Sequence, residues 1–210
     1  MIKQKVLCLS ITALVCLFIF SSNSPAAVGL ISQSGGVLDA WPFDKTLGWS
    51  FGLNTEITLN RLGVFDEGQD GLAASHQVGL WTTGGTLIAD ATVPAGTAGS
   101  LFGDFRYVDV PSVALPVGVY VIGVHFDTAG RADQFLRDNS VLTTHPFVNY
   151  NVGRISSRPG FEFPPPTASG SLGNFTTGNF QFNIPEPSTC YLLLLASGLG
   201  LAVRRQLFCF

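Results

Sequence analysis

Between residues 28 and 184 the chain consists of short apolar runs in which every second residue is hydrophobic, separated by turns rich in Gly, Asp, Asn and Pro. Alternating runs bounded by regularly spaced turns are typical of strands in a β-sandwich. This region has no sustained helical period. The pattern therefore predicts an all-β fold, a single antiparallel β-sandwich of the jelly-roll type.

Individual strands can be predicted from the same alternation. The run from Gly118 to Phe126 is apolar on both faces and is predicted to be a central strand. Gly84-Gly85 between two runs predicts a tight hairpin, since glycine supplies positive φ values. Residues 139–171 contain three consecutive prolines and are predicted to form a long surface loop before the last strand, with part of a stalk as the alternative. The predicted strands are 47–53, 57–65, 76–81, 86–93, 105–110, 117–126 and 179–184.

The first 27 residues have the layout of a secretory signal peptide. Lys3 and Lys5 precede an apolar stretch over 6–20, which is followed by small residues up to Ala27. This layout predicts export and cleavage after Ala26 or Ala27. An uncleaved N-terminal anchor is the alternative.

The C-terminal residues combine a rigid motif, an apolar run and a positive stop. Pro185-Glu186-Pro187 cannot continue a helix or a central strand, because proline fixes φ and lacks an N–H group. The apolar run 190–203 would rise only ~21 Å as a helix, less than the ~30 Å hydrocarbon core. Arg204 and Arg205 favour a cytoplasmic end. We therefore expect a temporary membrane tether over 190–203, with a buried core helix as the alternative.

The sequence PEPSTCYLLLLASGLGLAVRR resembles the PEP-CTERM sorting signal of Gram-negative bacteria. The resemblance implies a transient inner-membrane tether, processing near the motif by a membrane protease called exosortase, and delivery to the cell surface or extracellular matrix. The body, from about Leu47 to Phe126, resembles a secreted β-sandwich domain of unknown function that is common in such proteins. The sorting residues implied are Pro185, Glu186, Pro187, Arg204 and Arg205. The predicted division is 1–27 signal peptide, 28–184 β-sandwich and 185–210 sorting signal.

Charge and cysteine content exclude several classes of function. Without Lys3, Lys5, Arg204 and Arg205, the chain has 7 basic and 14 acidic side chains, a net charge of −7 (7 minus 14), which disfavours nucleic acid as a partner. The body contains no cysteine, so thiol catalysis and cysteine-based zinc sites are not expected there. The four cysteines lie in the terminal segments, at positions 8, 16, 190 and 209.

One turn partly matches a calcium-binding loop. Asp66 and Asp70 stand at alternate oxygen-ligand positions, and Gly71 follows where such loops require glycine. However, Gly68 occupies the third position and Gln77 the twelfth, where carboxylates are usual. Asp66 and Asp70 are therefore candidate calcium ligands, and a polar turn built on Asp and Gly is the preferred interpretation.

Other chemistry has little support in the residues. His76, His125 and His145 lack the close spacing of a zinc pair and are expected to be structural. Trp49 and Trp81 lie inside apolar strands and are expected in the core, whereas Trp41, beside Pro42, is the candidate for stacking on a sugar. No enzyme activity is predicted and no cofactor is required.

Two function classes remain open from the sequence. The first is an exported, non-enzymatic surface or extracellular-matrix protein associated with exopolysaccharide or biofilm. The second is a carbohydrate-binding module, with calcium as a candidate ligand. The partners expected are the general secretion machinery, an exosortase-type protease and an extracellular polysaccharide, with membrane contact through the transient C-terminal segment.

Overall fold

A computed structural model of the chain describes residues 26–40, 44–127, 133–138, 141–166 and 175–185. Within these ranges the chain forms fourteen strands and a single 3-10 turn, so the all-β prediction is confirmed. The strands are β1 (Ala27–Val28), β2 (Leu30–Ser34), β3 (Val37–Asp39), β4 (Lys45–Leu53), β5 (Ile57–Phe65), β6 (His76–Thr82), β7 (Leu87–Val93), β8 (Ser100–Phe102), β9 (Phe105–Leu115), β10 (Gly118–Phe126), β11 (Phe135–Arg137), β12 (Val141–Thr144), β13 (Val148–Ile155) and β14 (Gly178–Asn183).

Two five-stranded antiparallel sheets form the body. Sheet I has the order β1-β14-β5-β9-β8 and sheet II the order β13-β4-β10-β6-β7. When the outer strands β8 and β13 are left out, four strands remain in each sheet, in the orders β1-β14-β5-β9 and β4-β10-β6-β7. These are the strand orders of a jelly roll. Among these eight strands, every connection except β6–β7 passes from one sheet to the other. The jelly-roll prediction is confirmed. Two ribbons, β2–β12 and β3–β11, lie outside the two sheets.

The inner faces of the sheets share one aromatic core. Trp49 on β4 is fully buried, and its Nε1 donates a hydrogen bond to the carbonyl of Gly178 on β14 at 2.8 Å. Phe51 and Phe180 stack across the same interface with ring centroids 4.6 Å apart. Each fully buried aromatic side chain stabilises the fold by about 1.5–3 kcal/mol. Burial of this kind holds the sandwich together without disulfides.

The central position of β10 is confirmed. It pairs with β4 on one side and β6 on the other. Ile122 and Val124 point into the core, and Val121 on the opposite face is also fully buried. Burial on both faces explains why the run is apolar throughout.

The β6–β7 hairpin is present, but its turn differs from the expectation. Only Gly85 has positive φ (86°), and Gly84 does not. The amide of Gly85 donates to the carbonyl of Thr82 at 3.1 Å, and the amide of Thr82 donates to the carbonyl of Thr86. This is a three-residue loop with one left-handed residue followed by a bulge, rather than a two-residue primed turn.

The predicted loop over 139–171 is partly wrong, because it contains β12 and β13. β13 pairs with β4 along the edge of sheet II, with a bulge between Tyr150 and Val152. The bulge and the exposed Asn149 and Asn151 interrupt the alternation that reveals other strands. Residues 157–166 have no strand and cross the outer face of sheet II, where Phe161 packs against Trp81.

Strand β9 is longer than expected. The alternation predicts its end at Val110, yet it continues through Pro111 to Leu115. β8 pairs only with residues 105–107, so Pro111 occupies an edge where its missing N–H costs no ladder hydrogen bond.

Several predictions lie outside the described residues. They concern the signal peptide, Trp41, the motif residues Glu186 and Pro187, and the apolar run with Arg204 and Arg205. Within the ranges that are described, no helix is long and apolar enough to cross a membrane.

Candidate functional site

The turn that follows β5 is held by a buried ion pair. The Nε of Arg106 on β9 lies 2.6 Å from Oδ2 of Asp66, and both side chains are almost fully buried. The two Asp66 oxygens also accept the amide of Gly71 at 3.2 Å. Gly71 has φ 110°, and a Cβ there would lie 2.9 Å from the backbone of Gly96, so only glycine fits. Asp66 thus anchors the turn.

This arrangement bears on the calcium interpretation. The carboxylate of Asp66 already faces a guanidinium and an amide donor, while Asp70 is exposed at the rim of the turn. Among the residues that the structure describes, no group of three or more His, Cys, Asp or Glu side chains could hold a metal ion. The geometry is that of a polar turn.

Two clefts border this turn. The larger, about 330 Å³, separates the turn from the β3–β11 ribbon and has Glu67, Asp104 and Leu136 in its wall. The smaller, about 190 Å³, lies between Glu67, Asp70 and Asp133. Both are open and acidic. The larger has Phe65 in its wall, but this ring is only 8 % exposed and so offers little face for stacking on a sugar.

His76 is buried between two hydrogen-bond acceptors. Its Nδ1 lies 3.0 Å from the carbonyl of His125, and its Nε2 lies 2.8 Å from Oδ2 of Asp133. The carbonyl and the carboxylate are both hydrogen-bond acceptors, so both ring nitrogens are engaged in contacts within the fold. Neither nitrogen is available to activate a nucleophile, which makes this histidine structural.

The carboxylate of Asp133 ties two loops together. Burial alone would raise the pKa of Asp133, but hydrogen bonds from His76 and from the amides of Ala73 and Ala74 outweigh burial and hold it below its usual value. No local sequence pattern reveals this pairing, because Asp133 and His76 are separated by 57 residues.

The other two histidines also have structural contacts. The Nε2 of His125 lies 2.5 Å from Oδ1 of Asp44, and this hydrogen bond, together with the amide of Gly160, lowers the pKa of Asp44. His145 packs edge-on against Phe147 and Phe182, and burial lowers its pKa. The expectation of structural histidines fits this geometry.

Two of the three tryptophans are buried. Trp49 lies in the core as expected, stacked on Tyr150, whose pKa burial raises to about 12. Trp81 is 3 % exposed, but it lies on the outer face of sheet II under Phe161 and Phe163, and not in the core between the sheets. Neither ring offers a face to a sugar.

A second buried arginine, Arg154, has no counter-ion among the residues that the structure describes. Arg154 on β13 lies on the outer face of sheet II opposite Gly48, and only 8 % of it is exposed. Within the described part of the chain its Nε and Nη1 make no hydrogen bond, and burial lowers its pKa. It therefore contrasts with Arg106, whose charge is balanced by Asp66.

The last strand leads directly into the Pro-Glu-Pro sequence. β14 ends at Asn183, and the exposed Pro185 follows after one residue. Ala27, the first residue of β1, pairs with Phe182 near the end of β14. The start and the end of the folded body therefore lie side by side.

A family model describes the segment that begins here. It is the PEP-CTERM protein-sorting motif, and it matches residues 183–206. The chain carries a PEP-CTERM sorting motif. No curated protein and no solved structure matches the chain. The motif implies export, cell-surface sorting in bacteria and recognition by exosortase, a membrane protease.

Proposed function

We propose that this chain is an exported, non-enzymatic protein of the cell surface or extracellular matrix, processed at Pro185-Glu186-Pro187 and associated with exopolysaccharide or biofilm. The observation that carries the proposal is the PEP-CTERM match over 183–206. It begins at Asn183, the final residue of β14, so cleavage in the motif would release the whole sandwich without cutting a strand.

The proposed route has three stages. The general secretion machinery of a Gram-negative cell exports the chain by its first 27 residues. The apolar segment 190–203 then tethers it to the inner membrane, with Arg204 and Arg205 on the cytoplasmic side. An exosortase-type protease finally removes the tether.

The absence of catalysis is supported by the contacts of the polar residues. His76 uses both ring nitrogens, and Asp66 and Asp133 hold loops in place. A catalytic carboxylate or histidine needs a free face toward a substrate. The buried polar groups of the turn region serve the fold instead.

Substitution of the motif tests the sorting step. Pro185→Ala with Pro187→Ala should leave an unprocessed, membrane-retained form, detected by immunoblotting of membrane and surface fractions. Pro166→Ala, an exposed proline of the body, is the matched control and should be processed normally. Unchanged surface delivery of the double variant would contradict the proposal.

The alternative is a carbohydrate-binding module that uses calcium. Its remaining support is Trp41, since Trp49 and Trp81 are buried. A glycan-binding screen of the processed protein, with and without calcium, and of a Trp41→Ala variant discriminates the two functions. If the protein binds a glycan and Trp41→Ala abolishes that binding, the carbohydrate-binding module is favoured over a protein that has no defined sugar site.

A further inference from the structure

The two chain ends of the sandwich leave from the same end of the molecule. Four turns surround them, at 54–56, 83–86, 116–117 and 145–147, and we call this group with Ala27 and Asn183 the tail end. Asn54 links two of the turns, since its amide donates to the carbonyl of Phe147 and its side chain to that of Pro146.

Both chain ends are connected to apolar segments by short links. Six residues, 184–189, separate β14 from the apolar run that starts at Cys190, and six residues, 21–26, separate the leader's apolar stretch from β1. Six residues span at most about 21 Å even when fully extended. When the C-terminal run is embedded in a bilayer, the tail end must therefore lie close to the lipid headgroups.

Charge divides the two ends of the sandwich. Glu56 is the only Asp, Glu, Lys or Arg in the four turns of the tail end, all of which the structure describes. The opposite end, which we call the acidic end, has basic side chains at Lys45 and Arg106 but is dominated by seven acids: Asp44, Asp66, Glu67, Asp70, Asp104, Asp127 and Asp133. An anionic membrane surface repels such a cluster and tolerates the nearly neutral tail end.

The tail end also exposes apolar side chains. Val117, in the turn between β9 and β10, is 65 % exposed, the highest value among the large hydrophobic residues described. Val119 is 45 % exposed nearby, and Pro116 and Pro146 are exposed in adjacent turns. Apolar residues with few charges suit the interface between headgroups and acyl chains.

We propose that the tail end is a membrane-facing surface, which contacts the phospholipid headgroups while the C-terminal segment tethers the chain and which keeps the acidic end turned away from the bilayer. The inference rests on the sorting function proposed above. It adds an orientation to that function: while the chain is tethered, the tail end and not the acidic end faces the bilayer.

Fluorescence quenching in vesicles tests the orientation. The full chain, with its four native cysteines replaced by serine, receives a single dye at Val117→Cys or, as the matched control at the acidic end, at the exposed Gln134→Cys. Vesicles of phosphatidylcholine and phosphatidylglycerol contain a nitroxide-labelled headgroup lipid. We expect quenching at position 117 and none at 134.

The outcomes separate this inference from the proposed function. Equal quenching at the two positions in chains that float with the vesicles would overturn the membrane-facing surface alone. If the dye at position 117 became shielded only after a sorting protease was added, the tail end would be a surface that binds the protease. This result would also overturn the membrane-facing surface. Chains that fail to float contradict the tether and the surface together.

A charge substitution gives a readout in cells. Val117→Glu adds a carboxylate to the tail end without disturbing the core, since the side chain is exposed. We expect slower conversion to the processed form, whereas Phe102→Glu, 55 % exposed at the other end of the sandwich, should be processed at the parental rate. Equal rates for the two variants would contradict a role for the tail end.

Discussion

The two ends of the sandwich are stabilised in opposite ways. At the acidic end, buried polar side chains contact each other: Arg106 forms an ion pair with Asp66, and His76 is hydrogen-bonded to Asp133. At the tail end the contacts are neutral, such as the Tyr120 hydroxyl donating to the carbonyl of Pro116 at 2.9 Å. One jelly roll therefore presents a charged end suited to water and a neutral end suited to a membrane. The difference follows from the side chains placed in the turns and not from the strands.

This contrast has an energetic consequence. A buried ion pair contributes little net stability when intact, but loss of one partner leaves a buried charge without compensation. A neutral hydrogen bond contributes about 0.5–1.5 kcal/mol, and its loss costs a similar amount. Substitutions at the acidic end should therefore be more damaging than equivalent ones at the tail end.

The largest expected effect is at the buried ion pair. Arg106→Met should lower the free energy of unfolding by about 3–5 kcal/mol, because Asp66 would stay buried without its counter-ion. Urea denaturation followed by tryptophan fluorescence measures the change. Arg61→Met, which breaks an exposed ion pair with Asp109, is the control and should lower the free energy of unfolding by less than about 1 kcal/mol. Equal losses for the two variants would contradict a special cost for breaking the buried pair.

The same substitution at the second buried arginine should have the opposite sign. Arg154 has no counter-ion among the described residues, so Arg154→Met removes an uncompensated charge and keeps most of the side-chain volume. We expect the free energy of unfolding to rise by about 1–3 kcal/mol in the same urea experiment. A loss of stability would show that Arg154 has a partner.

The sequence predicted those parts of the fold that depend on local pattern. β5 and β10 were predicted because their alternation is regular, and the Gly84-Gly85 hairpin because glycine marks a turn. β13 was missed because its bulge disrupts the alternation.

The contacts of the candidate site could not be predicted. Asp66 and Arg106 lie 40 residues apart, and the pairing of β1 with β14 joins opposite ends of the chain. No local pattern encodes such long-range contacts, which the jelly-roll connections bring together. The tail end is likewise a product of this topology, since its four turns come from distant parts of the chain.

A smaller effect is expected at the tail end itself. Tyr120→Phe removes the hydrogen bond to Pro116 and leaves the ring in place, so the free energy of unfolding should fall by about 0.5–1.5 kcal/mol. Urea denaturation beside Arg106→Met gives the direct comparison. If Tyr120→Phe were as damaging as Arg106→Met, the neutral contacts would be as critical as the ion pair.

The smallest expected effect is the change in the stability of the parental protein with pH. The two ends should lose stability in different pH ranges. Burial lowers the pKa of His145 below 6.5, and the Phe147 amide donates to its Nδ1, so the folded state resists protonation there. Because the unfolded chain binds the proton more readily, stability should fall as the pH drops below 6.5 toward the folded pKa. We call this loss of stability below pH 6.5 the first step. Urea midpoints measured across this pH range should show that His145→Gln abolishes it.

The acidic end should respond only at lower pH. The folded pKa of Asp133 lies below 3.8, so its contribution is fully present above 3.8 and is lost as the pH falls through the folded value. Asp133→Asn should flatten this second step and leave the first unchanged, while His145→Gln should do the reverse. If stability fell in a single step with decreasing pH, and either variant abolished that step, the two ends would titrate as one unit. The ends would then differ in charge but would not lose stability independently.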